Sequence, residues 1–260
     1  MTRYAQIEAV RQKFADGKAS IGSWMQIPDS SIAEILGRAG YDWVAVDLEH
    51  GTMGERVLPD LFRALELGGT LPLARLPEET ARDCKRALDA GAGGVILPMI
   101  QSAAQLSSLI SACAWPPVGT RGVGFSRANL FGGDFDQYRD GEARGPLVIA
   151  MIEHIEAVGN IDEIVAVPGL DAIFIGPYDL SASMGLIGQF DHPDFRAAIE
   201  KVCQRSRAAG VPHGQHVVAP SPDALRASVE AGHQFIAYSM DAVFLRNAVQ
   251  RPDIALVRAN

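Results

Sequence analysis

The sequence predicts an α/β protein built as a single (β/α)8 TIM barrel with an N-terminal helix, and three observations lead there. Eight short apolar runs occur at 21–27, 43–48, 71–76, 95–100, 147–152, 172–175, 211–218 and 235–240. The segments between them carry helical periodicity, as in Ile32, Ile35, Leu36 and Ala39 or Leu58, Leu61 and Leu65. The whole spans 260 residues, close to the usual size of eight strand–helix units.

Taken in chain order, the residues before the first run form an amphipathic helix. Runs apolar at nearly every position are strands buried on both faces, and helix-length crossovers between them demand a parallel sheet. Glycines at Gly40, Gly68, Gly91, Gly210 and Gly232 stop the helices, since a left-handed C-cap favours a residue without Cβ. An open doubly wound sheet is the alternative, but it usually follows its first strand with a glycine-rich phosphate turn, and Ile27-Pro28-Asp29-Ser30 is not one. The stretch 115–145, rich in Gly, Pro, Arg and Asn, exceeds a plain connection, and long structured loops are usually functional. No linker divides the chain, so one domain over 1–260 is expected.

Composition removes several function classes. The chain carries 23 Lys+Arg against 31 Asp+Glu, a formal net charge of −8, with no basic run to neutralise phosphate. Nucleic acid and anionic lipid are therefore not expected partners. No apolar stretch approaches the roughly 20 residues of a membrane span, and the charged N-terminus lacks a secretory core. A cytoplasmic protein acting on a small molecule is the expectation. Cys84, Cys113 and Cys203 are widely spaced with no CxxC pair, which indicates neither a disulfide framework nor a zinc knuckle.

In such barrels the chemistry sits at the C-terminal strand ends. Strand two ends in Asp47-Leu48-Glu49-His50-Gly51, strand three in Arg75, strand five in Glu153-His154 and strand six in Gly176-Pro177-Tyr178-Asp179-Leu180-Ser181. Glu153 and Asp179 end adjacent strands and can converge on one hard cation, with open positions for substrate; each could instead cap a helix. His50 follows Asp47 by three residues, so the carboxylate can orient a general-base imidazole, although a loop histidine bonded to the backbone is the commoner case. Arg75 ends an apolar strand, where a guanidinium needs a substrate carboxylate or an internal partner such as Asp47 or Glu49. The four lysines, Lys13, Lys18, Lys85 and Lys201, lie ahead of the first strand or in helical patterns. None ends a strand, so imine catalysis is disfavoured and a metal Lewis acid is the remaining route.

With these residues in hand, the chain resembles the HpcH/HpaI family of class II pyruvate aldolases over nearly its whole length. The carriers are Val46-Asp47-Leu48-Glu49-His50-Gly51, Arg75, Leu97-Pro98-Met99, Pro117-Val118-Gly119-Thr120-Arg121-Gly122-Val123-Gly124, Ile152-Glu153 and Phe174-Ile175-Gly176-Pro177-Tyr178-Asp179-Leu180-Ser181. The resemblance implies reversible cleavage of a 4-hydroxy-2-oxo acid to pyruvate and an aldehyde through a metal-stabilised enolate. It implies Glu153 and Asp179 as ligands of a divalent ion (Mg2+, Mn2+ or Co2+) that chelates pyruvate, Arg75 as stabiliser of the enolate oxygen, and His50 as acid/base oriented by Asp47. It also implies pyruvate carboxylate binding at the Gly176-Pro177-Tyr178 backbone, Asp89 placed near a neighbouring subunit's histidine, and a homo-oligomer, a trimer of dimers.

Three positions depart from the family. Met151 stands where a glutamine is common and cannot donate a hydrogen bond. His216 and Tyr238, on the seventh and eighth strands, replace small or aliphatic residues and would make the aldehyde pocket polar, unless either faces the helices. Two other readings compete: a citrate-lyase-type acyl-CoA carbon–carbon lyase, for which only Arg121 and Arg127 stand as rim cations, and a binding protein that has lost turnover.

Overall fold

A computed structural model describes residues 1–249 and 251, so the last part of the expected 1–260 domain lies outside the described residues. The eight strands are β1 (Ser20–Met25), β2 (Trp43–Asp47), β3 (Leu71–Arg75), β4 (Gly94–Leu97), β5 (Leu147–Ile152), β6 (Ala172–Ile175), β7 (His213–Val217) and β8 (Phe235–Met240). They pair in parallel, each with the next, and β8 closes on β1. The helices are α1 (Arg3–Ala15), α2 (Ser30–Gly37), α3 (Leu58–Gly68), α4 (Ala81–Asp89), α5 (Ala103–Cys113), α6 (Phe135–Asp140), α7 (Ile155–Gly159), α8 (Ile161–Val165), α9 (Pro177–Ser183), α10 (Pro193–Ala208), α11 (Pro222–Glu230) and α12 (Asp241–Ala248).

The (β/α)8 barrel and its leading helix are as the sequence predicts, with shifts at the edges. The first and seventh strands are shorter than the apolar runs that mark them. Gly69, at φ 88°, makes the left-handed turn after α3 that was assigned to Gly68; Gly68 ends the helix instead, its Cα face against the Gly37 backbone.

Alternation along each strand separates two cores. Outward residues such as Val44, Val46, Ala74, Val95, Val148 and Ile173 meet the helices. Inward residues, Trp43, Ala45, Leu71, Leu73, Ile96, Leu147, Ile149, Met151, Phe174, Phe235 and Ala237, fill the barrel with Ile7 and Val10 of α1 packed beneath them. Trp43 and Phe235 stack with ring centroids 4.1 Å apart, and a Cβ on Gly22 would overlap that indole. The interior is thus a packed core whose floor is closed by α1, and the top is left to polar side chains.

The stretch 115–145 lies at the end of the barrel opposite the expected rim. It follows α5, which runs back down the outside, and its Arg127 reaches the Ala90 carbonyl and Glu66 while the Ala128 carbonyl accepts from Arg3 of α1. Arg121 is buried against Trp115 and donates to the Tyr138 hydroxyl at 2.7 Å. Arg121 and Arg127 are therefore structural and not rim cations, because a segment entered from a helix C-terminus starts at the floor.

Tyr238 is likewise corrected. Its parity on β8 opposes that of Phe235 and Ala237, so the ring faces outward and meets Phe244 of α12 at 6.1 Å. A register shift between β1 and β8, with Ser239 at φ 55°, then turns Met240 inward. Helix α12 packs on its own barrel through Val243, which is buried, and through Phe244 against Tyr238.

Candidate active site

The C-terminal mouth of the barrel holds a cavity of about 420 Å3, within the range of small-molecule sites. Its lining includes Trp24, Gln26, Asp47, His50, Arg75, Met151, Glu153, Gly176, Pro177, Tyr178, Asp179 and His216. These are the tops of the inward ladders and the loops above them. Parity alone explains the set: Asp47 continues Trp43 and Ala45, Arg75 continues Leu71 and Leu73, and Glu153 continues Ile149 and Met151.

Asp47 is fully buried and ties the floor of the cavity together. Arg75 donates to it twice, Nε to Oδ1 at 2.9 Å and Nη2 to Oδ2 at 2.6 Å, in the register that pairs the two residues across β2 and β3. Trp24 Nε1 and Gln26 Nε2 donate to Oδ2, and the main-chain N–H groups of Glu49 and His50 donate to Oδ1. Burial by itself would raise the Asp47 carboxyl, but the Arg75 guanidinium and these donors hold it below the usual carboxylate range. The link from Asp47 to His50 therefore runs through the main chain; its carboxylate serves Arg75 and not the imidazole. Gln26 completes the turn by donating to the His50 carbonyl at 3.1 Å. The exposed His50 side chain faces the cavity.

Glu153 is 2 % exposed. Its Oε2 accepts the Met99 N–H at 3.0 Å, from a residue held at φ 48°, and its carboxylate passes so close to Gly176 that a Cβ there would come within 2.6 Å of it. Burial, with Glu49 and Asp179 nearby, pushes its carboxyl up to about 7 against the Met99 bond and the Arg75 charge. Asp179 sits in the first turn of α9, whose cap is Gly176 without a side-chain bond. It is exposed and lines the same cavity. His154, by contrast, caps α7, its Nδ1 accepting from the Glu156 N–H.

Glu49, named from the sequence as a possible internal partner of Arg75, takes that place. Its Oε2 stands 2.8 Å from Arg75 Nη1, and burial raises its carboxyl despite that neighbour. Sequence reasoning missed the role of Met99, because its contribution is a backbone N–H from a left-handed residue, a conformation that costs about 1–3 kcal/mol and tends to occur at functional sites.

His216 does face the cavity. Its ring lies against Trp24 at 5.5 Å, and Nε2 is 3.0 Å from the Ser239 carbonyl. Since a carbonyl can only accept, Nε2 carries the hydrogen and Nδ1 keeps its lone pair. Burial lowers the imidazole to about 4, so it is neutral at pH 7. Asp89 is not brought to the cavity of its own chain. It ends α4 at the opposite end of the barrel, where burial raises its carboxyl against the pull of Arg121 and Lys85.

The Glu153 environment makes stability depend on pH. Without a bound cation, the folded protein retains between pH 4.5 and about 7 a proton that an ordinary carboxyl has lost. The stability linked to neutral Glu153 is fully present below that window and disappears as pH rises through it, on the order of 3 kcal/mol for a shift of this size. Glu153→Gln stays neutral. In chelator, its urea midpoint should match the wild type at pH 5 and exceed it at pH 8; parallel pH dependence of the two proteins would show that Glu153 is not a desolvated carboxyl.

Among the described residues, no helix is long and apolar enough to cross a membrane. Residues 20–248 match the model of the HpcH/HpaI aldolase/citrate lyase family. A hydroxypyruvate/pyruvate aldolase of Roseobacter denitrificans is 37% identical over 245 residues, covering 94% of each chain. A 2-dehydro-3,6-dideoxy-6-sulfogluconate aldolase of Pseudomonas putida is 36% identical over 239 residues, covering 92% of each. The crystal structure of an HpcH/HpaI aldolase/citrate lyase family protein from Burkholderia cenocepacia superposes with a TM-score of 0.87 at 33% identity, covering 96% of this chain and 99% of that one. With that match along the barrel, and with aldolases as its named relatives, the chain belongs to the HpcH/HpaI aldolase/citrate lyase family and is a carbon–carbon lyase of the aldolase type.

Proposed function

We propose that the cavity takes pyruvate or a related 2-oxo acid, removes a proton from the carbon next to its keto group, and joins that carbon to an aldehyde, or runs the cleavage in reverse. The charge balance at the mouth carries this reading. Asp47 and Glu49 pair with Arg75, and Glu153 and Asp179 stand close to Glu49, so the formal charges of four carboxylates and one guanidinium sum to −4 + 1 = −3, or −2 while Glu153 keeps its proton. An anionic keto acid would not enter such a site unless a further cation were present.

The donors suit that cation. Glu153 and Asp179 offer oxygen only, at a site open to the cavity, which fits hard divalent ions such as Mg2+, Mn2+ or Co2+. Gly176 leaves the space into which the Glu153 carboxylate is packed. When bound, the ion supplies Lewis-acid polarisation of the keto group.

The chain's own residues supply the remainder. Arg75 spends Nε and Nη2 on Asp47 and keeps further N–H groups for a keto oxygen that gains negative charge, a stabiliser already in place before reaction. His50, exposed at the mouth, moves the proton. The first N–H groups of α9, at Tyr178 and Asp179, follow Pro177 and face the mouth, where they suit the substrate carboxylate. Met151 and Phe174 make an apolar wall and contribute no hydrogen bond. An acyl-CoA substrate fits less well, since Arg75 is the one Lys or Arg among the described residues lining the cavity. Asp89 can join the reaction only from a second copy, so its role rests on the homo-oligomer that the family resemblance implies.

His216 bears on the aldehyde. With Tyr238 turned away, the acceptor pocket owes its polarity to one imidazole lone pair, which accepts a hydrogen bond from a hydroxyl but gains nothing from an alkyl chain. Leaving such a group unpaired costs about 1–3 kcal/mol. Glyceraldehyde should therefore exceed propanal in kcat/KM, and His216→Leu should erase the preference. Equal values for the two aldehydes in the wild type would make His216 structural.

The enolisation half-reaction tests the main reading. Methyl protons of pyruvate should exchange with D2O, followed by NMR, only with a divalent cation present. Glu153→Ala or Asp179→Ala should abolish exchange, and His50→Ala should lower its rate about 10²–10⁴-fold while leaving cation affinity nearly unchanged. Full exchange in EDTA, or full exchange by His50→Ala, contradicts the assignment.

A further inference from the structure

A second group of ligating side chains lies far from the cavity, in the outer layer near the floor of the barrel. Cys203 of α10, His213 at the start of β7 and His233, between α11 and β8, are all buried, and one donor atom from each lies within 4.8 Å of the others. The two Nδ1 atoms stand 2.8 Å apart with the rings nearly perpendicular at 85°. His213 has outward parity on its strand, opposite to Gly214 and His216, which turns it away from the substrate site. Its Nε2 is buried with no hydrogen-bond partner.

We propose that Cys203, His213 and His233 form a site for a thiolate- and imidazole-preferring divalent ion of the zinc class, distinct from the oxygen site at the mouth. One sulfur and two imidazole nitrogens are the donors such ions select, whereas Mg2+ prefers oxygen. Two nitrogens sharing a tetrahedral Zn2+ at the usual bond lengths are about 3.4 Å apart, so the rings need to separate by roughly half an ångström. In the metal-free pair only one Nδ1 can offer a lone pair to the other, and the second must carry a hydrogen. Binding would change that: the ring tautomer moves its hydrogen to Nε2, both Nδ1 lone pairs turn to the ion, and the Cys203 thiol releases its proton to solvent as the metal–sulfur bond forms.

Burial lowers both imidazoles to about 4, so they are neutral near pH 7. Arg207, whose Nε donates to the Cys203 carbonyl at 3.1 Å, is the nearby cation. Burial pushes the Cys203 thiol up, and Arg207 pulls against that shift; the same cation opposes the ion, so both effects limit affinity without removing a donor. Three protein ligands leave one position of a tetrahedron for water. The three residues come from α10, β7 and the turn before β8, so an ion there would pin two outer helical units to the barrel floor and raise stability by linkage.

The test uses the full chain carrying Glu153→Gln and Asp179→Asn, which removes the donors at the mouth and makes the result independent of the aldolase reading. Stripped protein in a non-thiol reductant is titrated with Co2+ and, separately, with Zn2+. One equivalent should bind, with a thiolate-to-cobalt charge-transfer band and the visible bands of tetrahedral Co2+. Cys203→Ser should lose the charge-transfer band, and His233→Asn should lower affinity at least tenfold. Zinc-edge X-ray absorption on the background protein should give one sulfur and two imidazoles, a readout that stands even if a ligand variant fails to fold. Absence of the charge-transfer band, or a zinc shell without sulfur, overturns the proposal.

Discussion

The buried pair of Asp47 and Arg75 is the interaction on which the mouth of the barrel depends. Two charges removed from water do not stabilise a fold simply by meeting, since desolvation can exceed their attraction. Here the pair is held by adjacent strands in direct register, and every remaining lone pair of Asp47 is used by Trp24, Gln26 and the turn of Glu49 and His50. The carboxylate fixes a guanidinium on one side and a loop on the other. Its effect is orientation: removing Asp47 would take from the buried Arg75 its bidentate partner, leaving Glu49 to hold the guanidinium, and would release the turn that carries His50.

From that pair outward, the site follows from alternation. A barrel filled from below by Trp43, Phe235 and Ile7 excludes water from its lower layers, so ionisable groups are tolerated only where the ladders reach the mouth. The same alternation places charged inward residues in one ring and leaves the outward residues of the same strands to the helices. Glu153, pressed against Gly176 and fed by one N–H from Met99, is the least comfortable member of the ring, its carboxyl raised by burial and by the neighbouring Glu49 and Asp179.

Much of this was legible in the chain. Apolar runs marked the strands, and Asp47, Arg75, Glu153 and Asp179 stood at their ends, where parallel strands expose functional groups. Tyr238 was misplaced because a strand-end residue was read without counting parity from Phe235, a signal the sequence did contain. Three-residue spacing suggests a contact between Asp47 and the His50 imidazole, whereas cross-strand register realises the other alternative that the sequence offers, a pair with Arg75. The stretch 115–145 suggested a functional loop by its length; its place depends on which end of α5 it leaves. Met99 and the group of Cys203, His213 and His233 were illegible for a common reason. Their partners are far apart in the chain, and no spacing motif announces contacts made by a backbone N–H or across three separate elements.

The central claim is that the carboxylates of Glu153 and Asp179 hold a divalent cation against which a 2-oxo acid binds, within reach of Arg75. An anomalous-scattering map from crystals grown with Mn2+ and a non-reactive pyruvate analogue tests it most directly. The account predicts a peak bounded by Glu153 and Asp179, with the analogue's oxygen atoms against it and facing the Arg75 guanidinium. A manganese peak elsewhere, or an analogue bound in the cavity without a cation beside those two carboxylates, would contradict it.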